Sequence, residues 1–306
     1  MSARPTRVHV RPRMGTLLAV CIPAGRPGAE DPYVRAAFET ARTCEEAMSR
    51  HQPDSDLSRL NRVAGQPDGV VSPELAAALR LARELAACTD GAFDPTVAPV
   101  LELWRRAAHL GARPGRRRLR AALDHVGWPA MKIAGTRVAL ARRGMAVDLD
   151  AFAKGCALDR ISMRLRNDGC GAALLNFGES SLLAIGRPPA SQWTVALRHP
   201  LGGFAGEFPL KDRACSTSAT FGRPLRVGGA RVSPVVDPST GQPLRSVAQV
   251  TVLARSAAVA EALSTAILVA GRSVMEDTAR RLDVDACWID PAGTHTTPWF
   301  PLRRLA

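Results

Sequence analysis

An α+β fold is predicted for this chain, on three observations. Apolar residues at helical spacing dominate the first half, and short strands bounded by Gly, Pro or Asp dominate the second. The two patterns run in succession and do not alternate as a parallel α/β sheet requires. With 306 residues, 46% of them hydrophobic, the chain can bury a substantial core. Helices in the N-terminal half and a strand-rich C-terminal half are expected to pack as one unit over residues 12–302, after a tail over residues 1–11.

Each element has its local reason. Residues 14–22 read as a buried strand. Residues 31–50 place Val34, Ala37, Phe38, Ala41, Cys44, Ala47 and Met48 on one helical face. A second helix opens with Ser72 as N-cap and Pro73 at the first helical position, and stops before Gly91. Further helices are expected over 97–107 and 118–126. Short strands follow over 138–140 and 145–149, then a helix over 151–166. Segments 173–176, 181–185, 193–197, 231–236 and 247–253 read as strands. Ser256 caps a last apolar helix that ends at Gly271, and 284–289 closes the fold as a strand.

Composition narrows the function. The net charge is +13, and only three of the 41 basic residues are Lys, at positions 132, 154 and 211. Such a charge favours phosphate-bearing partners. Nucleic acid is not expected, because aromatics make up 5% with a single Tyr and no stacking platform is evident. Arg116, Arg117, Arg118 and Arg120 form the densest basic run and read as a solvated face. Seven Cys without a CxxC motif make neither a disulfide framework nor a zinc site, which fits a reducing, cytoplasmic setting. No apolar run reaches the roughly 18 residues of a membrane span. Leu18 to Cys21 imitates a lipoprotein cleavage box, but the apolar run before Cys21 is too short for a signal peptide, which needs about 7–15 such residues. Oligomeric state has no signal in the sequence.

Phosphate-loop, dinucleotide-binding, serine-hydrolase and zinc-protease signatures are absent. What remains is polar groups in places that burial alone would not choose. Glu261 and Thr265 sit four apart within an apolar helix, a carboxylate and a hydroxyl on one face. They are either hard oxygen ligands suited to Mg²⁺ or Ca²⁺, or an ion-paired acid at the helix edge beside a hydroxyl bonded back to its helix. In the segment from Val147 to Gly155, a strand ending in Asp148 and Asp150 feeds a helix whose first turn holds Lys154. That end either binds an anion through free N–H groups and the ammonium, or is a plain N-cap beside a solvated Lys. Asp94, between Gly91 and Pro95, reads as a turn and cap. The stretch Val236-Asp237-Pro238-Ser239-Thr240-Gly241 is turn chemistry with an acid at its mouth.

Taken in order, these segments resemble the ApbE family, the FAD:protein FMN transferases. The resemblance runs over about residues 12–300. It includes Met14-Gly15-Thr16, Ser55 to Asn61, Gly91 to Val97, and Asp148-Leu149 with Ala153-Lys154-Gly155 and Asp159. Leu174 to Gly178, Asp237-Pro238 with Thr240-Gly241, and Ala260 to Ala266 complete it. The resemblance implies an ApbE-like fold and an enzyme that uses Mg²⁺ to cleave FAD. Such an enzyme attaches FMN to a Thr or Ser hydroxyl of a target protein bearing a flavinylation motif, and releases AMP. Carried over by position, Glu261 and Thr265 with the Ala151 carbonyl would hold Mg²⁺. FAD would lie against Met14, His51, Ala92, Phe93, Asp94, Asp148, Lys154 and the backbone at Val235.

The chain departs from the family pattern at four places. Glu261 stands where Asp is usual, and Pro234 occupies the stretch where a His is common. Gly178-Glu179-Ser180 replaces Gly-Gly-Asp, and Ser218-Ala219 replaces Ser-Gly. Two alternatives to transfer follow: FAD hydrolysis to FMN and AMP, and FAD binding without turnover.

Overall fold

The computed structural model describes residues 6–23, 31–67, 69–189, 191–222 and 224–304. A hairpin of β1 (Thr6–Arg13) and β2 (Thr16–Pro23) comes first, then α1 (Pro32–Met48), α2 (Asp56–Arg62), β3 (Gly69–Val70) and α3 (Pro73–Cys88). Next are α4 (Ala98–Leu110), α5 (Arg116–Leu123), β4 (Met131–Ala134), β5 (Arg137–Leu140) and α6 (Ala153–Asn167). The strand-rich part holds β6 (Ala173–Phe177), β7 (Ser181–Ile185), β8 (Trp193–Arg198), β9 (Phe204–Leu210), β10 (Ala214–Ala219), β11 (Leu225–Val227) and β12 (Ala230–Val232). After β13 (Gln249–Ala254) come α7 (Ala257–Ala270), α8 (Met275–Arg281), β14 (Asp285–Asp290) and β15 (Gly293–Thr296).

An eight-stranded antiparallel sheet in the order β1-β2-β6-β7-β10-β13-β14-β15 is the scaffold. Alternation along its strands divides the apolar side chains between two layers. Val250, Val252 and Ala286 join the core that contains α1, α3, α6 and α7. Leu253, Cys287 and Ile289 face a smaller core formed with Trp193, Leu197, Phe208 and Leu210 of the β8–β9 hairpin. A third cluster packs α4 and α5 against β11 and β12. The Trp104 indole N–H donates to the Gly241 carbonyl at 2.8 Å and ties that cluster to the 237–241 turn.

Two expectations change at the N-terminus. The tail expected over residues 1–11 gives way, from Thr6 on, to strand β1, which pairs with β2 from Thr6 opposite Pro23 to Arg13 opposite Thr16. The strand expected over 14–22 therefore starts two residues later. Met14 and Gly15, at φ 49° and 70°, form the turn between β1 and β2 with the left-handed backbone that tight hairpins favour. Elsewhere, 145–149 pairs in no ladder, and 231–236 is a strand only as far as Val232. The short helix α2, capped by the Ser55 hydroxyl on the Ser58 N–H at 3.0 Å, went unread because only Leu57 and Leu60 mark its buried face. No described helix is long and apolar enough to cross a membrane.

Helices α6 and α7 cross on the helical side of the sheet at a glycine. A Cβ on Gly155 would lie 2.5 Å from the Ala257 carbonyl oxygen and 2.6 Å from the Ala258 Cα. Backbone cannot retreat as a flexible side chain can. The variant Gly155→Ala is therefore expected to lose about 1–3 kcal/mol of stability, as overpacked cores do. Urea unfolding of the two proteins measures it, and equal midpoints would contradict the close crossing.

Candidate active site

Three connections hold the site together before any functional group is considered. Asn61 donates to the Val147 carbonyl at 2.9 Å and accepts the Val147 N–H at 2.8 Å, fixing the unpaired stretch that precedes α6. The Asp148 N–H bonds the Pro95 carbonyl at 2.8 Å, joining that stretch to the 91–96 turn. The Phe93 and Phe152 rings meet with centroids 5.6 Å apart.

Within this frame Asp94 is buried and satisfied. One of its oxygens accepts the Thr96 N–H at 2.7 Å and the Thr96 hydroxyl at 2.6 Å, and the other accepts the Trp128 N–H at 3.1 Å. Burial pushes its carboxyl above the usual range, against these hydrogen bonds. Asp148 is also buried, and Arg50 and Arg105 each reach its Oδ2 at 3.1 Å. Burial and then Asp150 push the Asp148 carboxyl up, while the two guanidinium groups oppose them. Asp150 takes Arg50 at 2.8 Å, and the exposed His51 Nε2 stands 3.6 Å from it.

The two helices then exchange carboxylates. Asp159 of α6 accepts the Ser256 hydroxyl at 2.6 Å and the N–H groups of Ala257 and Ala258 at 2.7 and 3.0 Å, so it caps α7. Glu261 of α7, only 2% exposed, accepts the Gly155 N–H at 2.8 Å and so caps α6. The other oxygen of Glu261 accepts the Ser181 hydroxyl and is paired with the Lys154 ammonium at 2.6 Å. The anion held at the start of α6 is thus a side chain of the protein. Glu261 is both the cap of α6 and the ion-pair partner of Lys154.

Thr265 lies one turn on from Glu261. Its hydroxyl and that of Ser264 both bond Ser218 Oγ, at 2.9 and 2.8 Å. The Gly155 N–H, which a regular helix would return to the Ala151 carbonyl, goes to Glu261. Ala151 itself is exposed. A carboxylate, a hydroxyl and a backbone carbonyl are the hard oxygen donors that Mg²⁺ accepts, with substrate phosphates and water completing its octahedron. The donor chemistry therefore fits the ion, although Lys154 shares the Glu261 oxygen. No cluster of three or more His, Cys, Asp or Glu suited to a metal occurs among the described residues.

A family model described as the ApbE family matches residues 14–288. The chain belongs to the ApbE family. Among its relatives, the FAD:protein FMN transferase of Treponema pallidum is 32% identical over 305 residues, covering 91% of this chain and 83% of that protein. That of Rhodobacter capsulatus is 34% identical over 223 residues, and the match covers 71% of this chain but only 42% of that protein. The ApbE protein of Thermotoga maritima has the same fold, with a TM-score of 0.87 at 26% identity over 97% of this chain and 98% of that one. The flavin transferase ApbE of Vibrio cholerae superposes with a TM-score of 0.84 at 24% identity, again covering 97% and 98%.

Of the residues that the family resemblance singles out, Phe93, Asp94 and Asp148 gather at the approach to α6, with His51 beside Asp150. Ala92 is half-buried in the same turn as Phe93. Lys154 and Glu261 meet directly, with Thr265 one turn along α7. Met14 stands apart in the β1–β2 turn, its N–H on Glu45 Oε1 at 2.8 Å, beside a cleft of about 790 Å³ also lined by Asn176 and Glu179. Val235 is half-buried, and its carbonyl accepts the Leu244 N–H at 3.0 Å. Sequence reasoning missed Arg50, Arg105 and Ser181. The two arginines are indistinguishable among so many, and Ser181 shows its role only across the fold.

The raised carboxyl of Asp94 has a pH consequence. Its folded pKa lies above the unfolded value, so its titration contributes stability that is complete below the unfolded range and is lost as pH rises through the folded value. Asp94→Asn removes that dependence. The stability difference between wild type and variant is expected to shift against wild type as pH rises above the ordinary carboxylate range, and a pH series of urea unfolding curves measures it. A difference that stays constant with pH would contradict the raised value.

Proposed function

We infer that this chain transfers the FMN half of FAD to a Thr or Ser hydroxyl of a target protein and releases AMP. Membership of the ApbE family and relatives named FAD:protein FMN transferase support the reading. The observation that carries it is the pairing of Glu261 with Lys154 at the start of α6, with the Thr265 hydroxyl one turn away. These groups bring a carboxylate, an ammonium and a hydroxyl to one small region, as phosphate chemistry requires. On this reading FAD lies along His51, the 92–94 turn, Asp148 and Lys154, and reaches Met14 and the Val235 backbone.

In the reaction, the acceptor oxygen bonds to the phosphorus of the FMN half as the bond to the AMP oxygen breaks. AMP leaves with that electron pair, and the hydroxyl proton passes to a base. Bound at Glu261, Thr265 and the Ala151 carbonyl, Mg²⁺ would neutralise charge on the transferring phosphate and the leaving oxygen. Arg50 and Arg105 hold Asp148 in place, and Asn61 fixes the backbone that carries it. Pro234 stands where the family commonly has His, so that side chain is not the proton acceptor here. We read the chain as cytoplasmic, because its seven cysteines are all free.

An FAD turnover assay with Mg²⁺ and a flavinylation-motif peptide tests the reading. AMP together with FMN mass on the peptide is expected. Thr265→Ala should lower the rate by about 10²-fold, as losing one transition-state contact does. AMP with only free FMN would mean hydrolysis, and tight FAD binding without AMP would mean a binding protein.

A further inference from the structure

Every hydrogen-bonding direction of Glu261 that the structure uses is taken by the protein itself. Oε2 accepts the Gly155 N–H, and Oε1 accepts the Ser181 hydroxyl beside the Lys154 ammonium. A carboxylate as buried as this one needs a compensating cation. Lys154 in turn sits in the first turn of α6, where the helix dipole disfavours positive charge. Glu261 offsets that cost. Each charge thus accounts for the position of the other.

We propose that Lys154 is the resident counter-cation of Glu261, and that a divalent cation gains Glu261 only by displacing the Lys154 ammonium. The proposal rests on the metal reading given above. Both cations would be held by the same buried carboxylate, and two positive charges brought to one carboxylate repel each other. The exchange has a route, because the Lys154 side chain is 19% exposed and sits on a flexible stem. Its other contact is a long one, 3.4 Å to the Asp150 carbonyl. If the ammonium holds Oε1 nine-tenths of the time, the apparent metal affinity is reduced about tenfold.

Mn²⁺ alone, titrated into the FAD-free full chain and followed by the electron paramagnetic resonance of the free ion, tests this. Lys154→Met is expected to bind Mn²⁺ about tenfold more tightly than wild type, Lys154→Arg to stay near wild type, and Glu261→Gln to lose binding. If Lys154→Met binds no more tightly while Glu261→Gln abolishes binding, the displacement is wrong and the metal reading survives. If Glu261→Gln changes nothing, or no protein binds Mn²⁺, the metal reading falls and takes the proposal with it. A second readout uses the unmutated protein: amine acylation mapped by mass spectrometry. Mn²⁺ should raise labelling of Lys154 several-fold and leave the exposed Lys132 and Lys211 unchanged. Equal labelling of Lys154 with and without Mn²⁺ would overturn the proposal.

Discussion

The contact between Gly155 and the start of α7 is the constraint from which the site follows. Because no side chain separates them, the α6 backbone comes close enough to Ala257 and Ala258 that a Cβ would collide. At that distance each helix can reach the free N–H groups at the other's start. Asp159 satisfies those of α7, and Glu261 takes one of α6. The reciprocal arrangement meets the standing requirement that helix N-termini find partners. It also puts a carboxylate and a lysine of two different helices within 2.6 Å.

Glutamate suits this geometry in a way that can be stated physically. The extra methylene, relative to the Asp usual in the family, lengthens the reach of the α7 side chain toward α6. It bonds a backbone N–H of α6 and a hydroxyl of β7 simultaneously. Such a residue is a strut between helix and sheet as well as a candidate ligand. The same logic applies to Ser218, whose hydroxyl bonds both Ser264 and Thr265 and couples strand β10 to α7. Polar side chains in this region therefore position one another, and each stays bonded despite its burial.

Local signals in the sequence made the helices legible. Ser72 with Pro73, and Ser256 ahead of an apolar run, cap α3 and α7 as their residue types require. The motif order identified the family, and the spacing of Glu261 and Thr265 placed both on one face of α7. The pairing of Lys154 with Glu261 was not legible, because 107 positions separate them and only the α6–α7 crossing brings them together. The stretch at 145–149 is mostly buried, as a strand's would be, but it pairs with no neighbouring strand. What holds it is Asn61. The β1–β2 turn was hidden because Met14 takes a left-handed backbone that its residue type seldom adopts.

Local charge differs from global charge here, and the difference bears on what form of substrate the site suits. The chain as a whole carries +13. Within the site, however, Arg50, Arg105 and Lys154 are set against Asp148, Asp150 and Glu261. Each of these three cations is already paired with a carboxylate, so none of the three is free to neutralise a pyrophosphate. The field of the whole molecule can still draw an anion toward it. Once there, a pyrophosphate would leave the site over-supplied with negative charge in surroundings partly shielded from water. A divalent cation held at Glu261 restores the balance. On the transfer reading, FAD and its metal therefore suit this site as a pair, and the ammonium that Glu261 gives up becomes available to the incoming phosphates.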